Sequence, residues 1–297
     1  MAAANGAPLP HRGLRSLPPP RIVLPIAAPP IPLSTALPAP VRLATVVVVA
    51  AVGGAINSVA GGGTLLTFPA LVGLGIPPLV ANATSTVALW PAAASSMWGY
   101  RGELAGSRRW VLAFAPPSFI GGLLGALLLL RTSNARFDAL VPWLVLGATT
   151  LFILQRPVLA ALRRHAGASP AADDQALTRR YPPPTVLCYQ ALVAIYGGYF
   201  GAGVGILMLG ALGFMGLSNI HRMNGLKNWG GLCMNAIAAV TFIVSAIVDW
   251  PVALAMAVGA TIGGYAGSRL AQRTPQRYLR GFIAVIGLVS GVWLLLR

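Results

Sequence analysis

From about residue 42 to its C-terminus the chain alternates long apolar runs with short polar, basic or glycine- and proline-bearing breaks. Runs of about 20 apolar residues predict membrane-spanning helices. The first block covers residues 42–100, and Gly61, Gly62, Gly63 and the Ile76-Pro77-Pro78 step cut it into three pieces. The middle piece, residues 64–75, would rise about 18 Å as a helix, against a hydrocarbon core of about 30 Å. It is therefore expected as a half-helix, a re-entrant arm or a tilted helix, and its broken backbone must face protein or a cavity. Two conventional spans follow, near residues 110–130 and 137–155. Residues 157–184 then turn polar, basic and proline-rich, as a linker would.

A second block starts near residue 185 with the same order of parts: a span, a glycine cluster, a short apolar arm, a polar turn, a long span and two more. At a constant offset, Gly61 and Gly63 fall opposite Gly203 and Gly205, and Asn82 falls opposite Asn224. The fold class expected is an all-α integral membrane protein of two repeats, residues 42–156 and 185–297, with about five helical segments each and broken or short helices at the glycine motifs. Five crossings per copy reverse direction, so the repeats would be inverted. Paired broken helices in inverted repeats point to a transport site between them, worked by rocking one repeat against the other.

Residues 1–41 hold eleven of the 25 prolines and read as a disordered leader, because the apolar stretch at residues 22–37 is broken by Pro25, Pro29, Pro30 and Pro32. Composition agrees with a bilayer as the main solvent: 56% of the 297 residues are hydrophobic and only 9% charged, against about 25% charged in soluble domains. The net charge of +16 does not imply nucleic acid, because the arginines lie between apolar runs, where basic loops set membrane orientation. Basic-residue counts do not separate ten full crossings from re-entrant short arms. Arg269, Arg273, Arg277 and Arg280 in one short loop favour ten segments, with that loop and the linker cytoplasmic. Cys188 and Cys233 lie inside apolar stretches and give neither a disulfide framework nor a metal-ligand spacing.

The run Gly61-Gly-Gly-Thr-Leu-Leu-Thr-Phe-Pro69, then Gly75-Ile-Pro-Pro and Ala81-Asn-Ala-Thr-Ser-Thr86, resembles the signature of the TauE/SafE family of sulfite exporters. Gly201 and Gly205, followed by His221-Arg-Met-Asn-Gly-Leu-Lys-Asn228, look like the family's second motif. The resemblance covers about residues 43–297. It implies export of small sulfur-containing or carboxylate anions, such as sulfite, sulfoacetate or sulfolactate, across the inner membrane. The proline-rich leader and the basic linker depart from the usual pattern without touching the motif residues.

An oxyanion crossing a bilayer exchanges its water shell for fixed donors, and backbone N–H groups at a broken helix can supply them. Gly61, Gly62 and Gly63, with the Thr64 hydroxyl, are one candidate set; Gly203 and Gly205 are its counterpart. Glycine spacing of this kind also serves plain helix packing, as expected for Gly121 with Gly125 and Gly259 with Gly263. The nearby polar runs, Asn82, Thr84, Ser85 and Thr86 and then Asn224, Lys227 and Asn228, add amide and hydroxyl donors that could equally hydrogen-bond between helices. Lys227 is the only lysine and lies in an apolar context, where a charge is costly and usually functional unless it snorkels to the headgroups.

All five acids, Glu103, Asp138, Asp173, Asp174 and Asp249, fall in loops or at segment ends, so no mid-membrane carboxylate is expected to carry a coupling proton. The residues offer no intramembrane nucleophile with its base, no paired aspartates and no HExxH motif, which argues against an enzyme. A cation site would want carboxylates, imidazoles or thiols. The expectation is thus a multi-pass inner-membrane exporter of a small anion, driven by membrane potential and needing no cofactor; an importer or channel for another small solute is the alternative. Its partners would be the anion, the bilayer and, as a homo-oligomer, copies of itself.

Overall fold

The computed structural model describes residues 38–165, 181–215, 217, 219–270 and 277–296. Among them are ten α-helices and no strand: α1 (Ala39–Ala60), α2 (Thr64–Gly73), α3 (Pro78–Gly99), α4 (Arg108–Arg131), α5 (Asn134–His165), α6 (Pro184–Tyr199), α7 (Val204–Phe214), α8 (Ile220–Val244), α9 (Trp250–Leu270) and α10 (Arg277–Leu296). Most of the leader and residues 166–180 of the linker lie outside the described residues. α1 begins before residue 42, and α5 runs through residues 157–165, where the linker was expected.

Prolines start several helices at no cost, because a first-turn N–H has no intrahelical partner; α1, α3 and α6 each carry one there. The breaks fall at the glycines. Gly61 takes φ 73° and donates its N–H to Asn57 O at 3.1 Å, ending α1, while Gly203 takes φ 71° just before α7. Both lie in the left-handed region that L side chains resist.

Among the described residues, four helical segments are long and apolar enough to cross a membrane: Pro40–Val59, Arg108–Arg131, Asn134–Leu154 and Trp250–Leu270. α3 and α8 are as long, at 22 and 25 residues, but their polar side chains are buried inside the bundle. Among the described residues, α2 and α7 do not continue in the direction of the helices before them, as separate crossings would. α2 folds back on α1: Arg42, Leu43 and Val46 share a cavity wall with Leu74 and Ile76, and further along Gly53 faces Thr67. α7 folds back on α6 in the same way, with Tyr189 Oη donating to Leu207 O at 3.3 Å and Val193 packed in one cluster with Val204. A helix of 10 or 11 residues rises only about 15 Å, so each arm returns to the end its predecessor came from.

The remaining directions follow from contacts. Asp249 N, at the start of α9, donates to Thr84 Oγ1 at 3.0 Å, and Ser96 reaches Gly264 O, so α3 and α9 are parallel. Trp229 Nε1 donates to Val111 O at 2.6 Å, and Gly122 packs on Met234 and Ile237, so α4 and α8 are parallel. α4, α6 and α8 therefore start at the end of the bundle that holds the linker, and α1, α3 and α9 at the far end.

Packing repeats at a spacing of 142 positions, the separation of Gly61 from Gly203. Gly121 and Gly125 of α4 let α6 approach at Ala194, Ile195 and Tyr199; Gly263 and Gly267 of α9 do the same for α1 at Ala51 and Ala55. Gly122 meets Met234, and Gly264 meets Ala92. Each member of the second set lies about 142 positions from one in the first. Small residues let helix backbones approach where lipid supplies no hydrophobic drive. Each half's hairpin thus rests on the other half: α1 on α9, and α6 on α4.

Candidate functional site

The two hairpin tips meet. A methyl group on Gly205 would sit 2.6 Å from Gly61 Cα and 2.9 Å from Lys227 Cδ, so glycine here is a requirement of close approach. Gly62 and Gly63 are buried in the same tip, Gly62 facing Phe152 and Gly63 facing α1 at Gly53 and Asn57. Gly203 packs against Ala148 of α5. Phe200 stacks edge-on with Phe68 and with Phe137, at centroid distances of 5.3 and 6.3 Å, and this fixes the second tip.

Lys227 comes from α8 and is 3% exposed. Its Nζ donates to Asn57 O at 2.9 Å and to Ser58 O at 3.1 Å, while Asn228 Nδ2 donates to Ser58 O at 3.2 Å. These are carbonyls of the last turn of α1, the partially negative end of its dipole, which favours a cation. The amine is met there by carbonyl oxygens and not by a carboxylate, so its protonated form has only partial compensation inside the bundle. Asn82 makes the equivalent bond in the other half, Nδ2 donating at 3.0 Å to Tyr199 O, 142 positions after Asn57, while its Oδ1 is buried without a partner. Each long polar helix thus caps the broken hairpin of the opposite half.

Beside Lys227 lies a cavity of about 20 Å³ whose polar lining comes from Asn57, Gly61, Gly205, Lys227, Asn228 and Asn235. That is room for about one water, so an oxyanion fits only after the tips part. Backbone at Gly205, the Lys227 amine and three amides form a set of donors suited to a small anion, while the Gly61 N–H is already bonded to Asn57 O. Among the described residues no group of three or more metal-ligating side chains occurs.

The other sequence-predicted residues stand apart from this cavity. Thr84 accepts from Asp249 N at the α8–α9 connection. Ser85 Oγ pairs with Thr67 Oγ1 at 2.8 Å, joining α3 to α2, and Thr86 Oγ1 donates back to Asn82 O at 2.9 Å. Thr64 is half-buried at the start of α2. Asn224 is fully buried one turn before Lys227, with both amide atoms unpartnered. Asn57, Thr67, Tyr199 and Asn235 were not singled out from sequence. Asn235 had a signal: it lies seven residues after Asn228, on the same helical face. Asn57 had only its place in the turn before a glycine break.

The sulfite exporter TauE/SafE family model matches residues 46–294. The chain is 29% identical over 266 residues to "Probable membrane transporter protein YfcA" of Escherichia coli K12, covering 86% of this chain and 90% of that one. It is 28% identical over 258 residues to "Probable membrane transporter protein ORF9" of Sinorhizobium sp., covering 85% and 92%. With "Probable membrane transporter protein" of Haemophilus influenzae it shares 25% identity over 232 residues, covering 78% and 86%. No solved structure matches the chain. A family match spanning both hairpin tips, the buried lysine and the polar helices that cap the tips leads to one conclusion: this chain belongs to the sulfite exporter TauE/SafE family of membrane transporters.

Proposed function

We propose that the protein exports a small anion, such as sulfite or an organosulfonate, across the cell inner membrane by alternating access between two inverted repeats. The observation that carries this reading is Lys227: a buried ammonium at the junction of both hairpin tips, met only by carbonyls. A charge in such a place is expensive and marks a substrate path, and an anion completes its neutralisation. The inverted arrangement is supported by the 142-position correspondence and by the opposite directions of α3 and α8, which hold corresponding places in the two halves. Described basic residues are more numerous at the linker end, at Arg101, Arg108, Arg109, Arg222 and Arg269, than at the far end, at Arg42, Arg131 and Arg136, which supports a cytoplasmic linker end.

Moving an anion out of a negative interior is favoured by about 2.3 kcal/mol per charge per 100 mV, so membrane potential can drive export without a coupling proton. The importer or channel reading is the alternative, and the same experiment addresses it. Purified protein in liposomes is given labelled sulfite, sulfoacetate or a carboxylate at a clamped potential, beside Lys227→Ala. Voltage-responsive anion flux that Lys227→Ala abolishes is expected. A proton or sodium requirement that persists under the clamp overturns potential-driven export, and flux indifferent to Lys227→Ala removes the lysine from the site.

A further inference from the structure

α8 carries more polar residues than the cavity uses, and they are ordered. His221, Asn224, Asn228, Gly231 and Asn235 recur at intervals of three and four, so they line one face of the helix, with Lys227 at its edge. The cavity accounts for the inner part of this stripe, at Lys227, Asn228, Gly231 and Asn235. The outer part, between the cavity and the linker end of the bundle, is shut and unsatisfied. Asn224 is 0% exposed and neither Oδ1 nor Nδ2 has a partner; the hydroxyl of Tyr100, also 0% exposed, and His221 Nδ1 are in the same condition.

These orphaned groups lie near one another, since Asn224 follows His221 by one helical turn on the same face. Tyr100, directly after α3, stacks on the His221 ring at 6.4 Å between centroids, and its Cβ lies 3.7 Å from where a methyl on Gly225 would sit. The backbone at the start of α8 is already served, since Asn219 Oδ1 accepts from His221 N and Arg222 N. What awaits a partner is side chain: an amide with a free donor and a free acceptor, a phenol and an imidazole nitrogen. Buried polar groups are nearly always paired, so three orphaned side chains in one spot mark a surface that opens to water and solute in another conformation.

We propose that Asn224, with Tyr100 and His221 as its lid, forms a second anion-binding station at the linker end of α8, one helical turn before the Lys227 cavity. It takes a small oxyanion that retains part of its hydration: Asn224 Nδ2 and the Tyr100 hydroxyl donate to the anion's oxygens, and Asn224 Oδ1 accepts from a carried water. When Tyr100 swings off Gly225 and His221, the stripe becomes continuous from the linker end to Lys227. This rests on the anion-transport reading and adds an entry step to it.

The test uses His221→Cys, which keeps the Asn224 amide and the Tyr100 hydroxyl, in a background of Cys188→Ser and Cys233→Ala, reconstituted in liposomes and treated from the linker side with a membrane-impermeant methanethiosulfonate. Sulfoacetate is the probe anion, since sulfite itself attacks the reagent. Modification from that side is expected, slowed about tenfold by sulfoacetate at about ten times its dissociation constant, as mass action requires. The protection is expected to survive addition of Lys227→Ala, which stops transport but leaves the outer station. No modification from the linker side in folded protein overturns the station. So does modification that sulfoacetate leaves unchanged, or protection that disappears with Lys227→Ala. Transport that persists in Lys227→Ala is a separate result: it removes the lysine from the transport site and leaves the labelling outcome to stand by itself.

Discussion

The Cα of Gly61 and the backbone of Gly205 touch so closely that neither position has space for a methyl group. They are 144 residues apart in sequence and come from opposite halves. Their contact is the point at which the two broken hairpins meet, with the aliphatic stem of Lys227 packed against it.

Gly61→Ala is expected to damage both fold and flux. It places a side chain at φ 73°, a cost of roughly 1–2 kcal/mol, and drives Cβ into Gly205, where overpacking adds about 1–3 kcal/mol. Gly147→Ala, at a helical glycine with nothing within 4 Å of the added methyl, is the neutral control. Thermal unfolding in detergent, measured on both variants, separates the two.

Lys227→Met should fold at least as well as the wild type and carry no anion. Removing the amine relieves its desolvation cost, and the Asn57 and Ser58 carbonyls keep the Gly61 N–H and the Asn228 amide as donors. An unchanged or raised melting temperature with lost flux assigns the lysine to transport. A collapse of both would make its bonds to Asn57 and Ser58 structural.

Ser85→Ala breaks the bond to Thr67 that joins α3 to α2. Interhelical bonds of this kind contribute about 0.6 kcal/mol in membranes, and Ser85 does not line the Lys227 cavity. A small drop in melting temperature with anion flux retained is expected. Loss of flux at full stability would place Ser85 in the path.

Gly263→Val should separate α9 from α1 and disable the protein. The added side chain meets the Ala51 backbone directly, and no rotamer relieves a backbone clash. A cost above about 2 kcal/mol is expected from overpacking, read as aggregation or early melting on size exclusion. Gly121→Val, at the corresponding face of α4 against α6, should fail alike, since the two interfaces repeat one geometry.

Single cysteines can test the hairpins. Gly75→Cys, after α2, and Ser133→Cys, between α4 and α5, should label from one side of the membrane; Gly106→Cys, between α3 and α4, should label from the other. The same background without Cys188 and Cys233 serves. Labelling of Gly75→Cys and Gly106→Cys from one side would contradict α3 as a crossing helix.

Apolar run length and the glycine and proline breaks were enough to read a helical membrane protein, the interruptions at Gly61 and before Val204 and the short arms, because these depend on local backbone chemistry and on bilayer thickness. The family was legible for the same reason: its motifs are the breaks themselves with the polar runs beside them. Sequence also picked out Lys227, since one cation in an apolar stretch stands out wherever it points. What it could not supply was partnership. Whether a 10-residue arm crosses or returns depends on which helix it packs against, and α2 turned back along α1. Asn82 and Ser85 are close in sequence and chemically alike, yet one caps the opposite hairpin at Tyr199 and the other ties α3 to α2. Lys227 meets Asn57 across 170 positions, and only the packing of α1 and α8 at the meeting tips brings the ammonium to the end of a helix dipole. Hydropathy and glycine placement act within a turn or two of the chain, whereas the groups around Lys227 are assembled by contacts between halves, so their geometry existed only once the two halves had folded against each other.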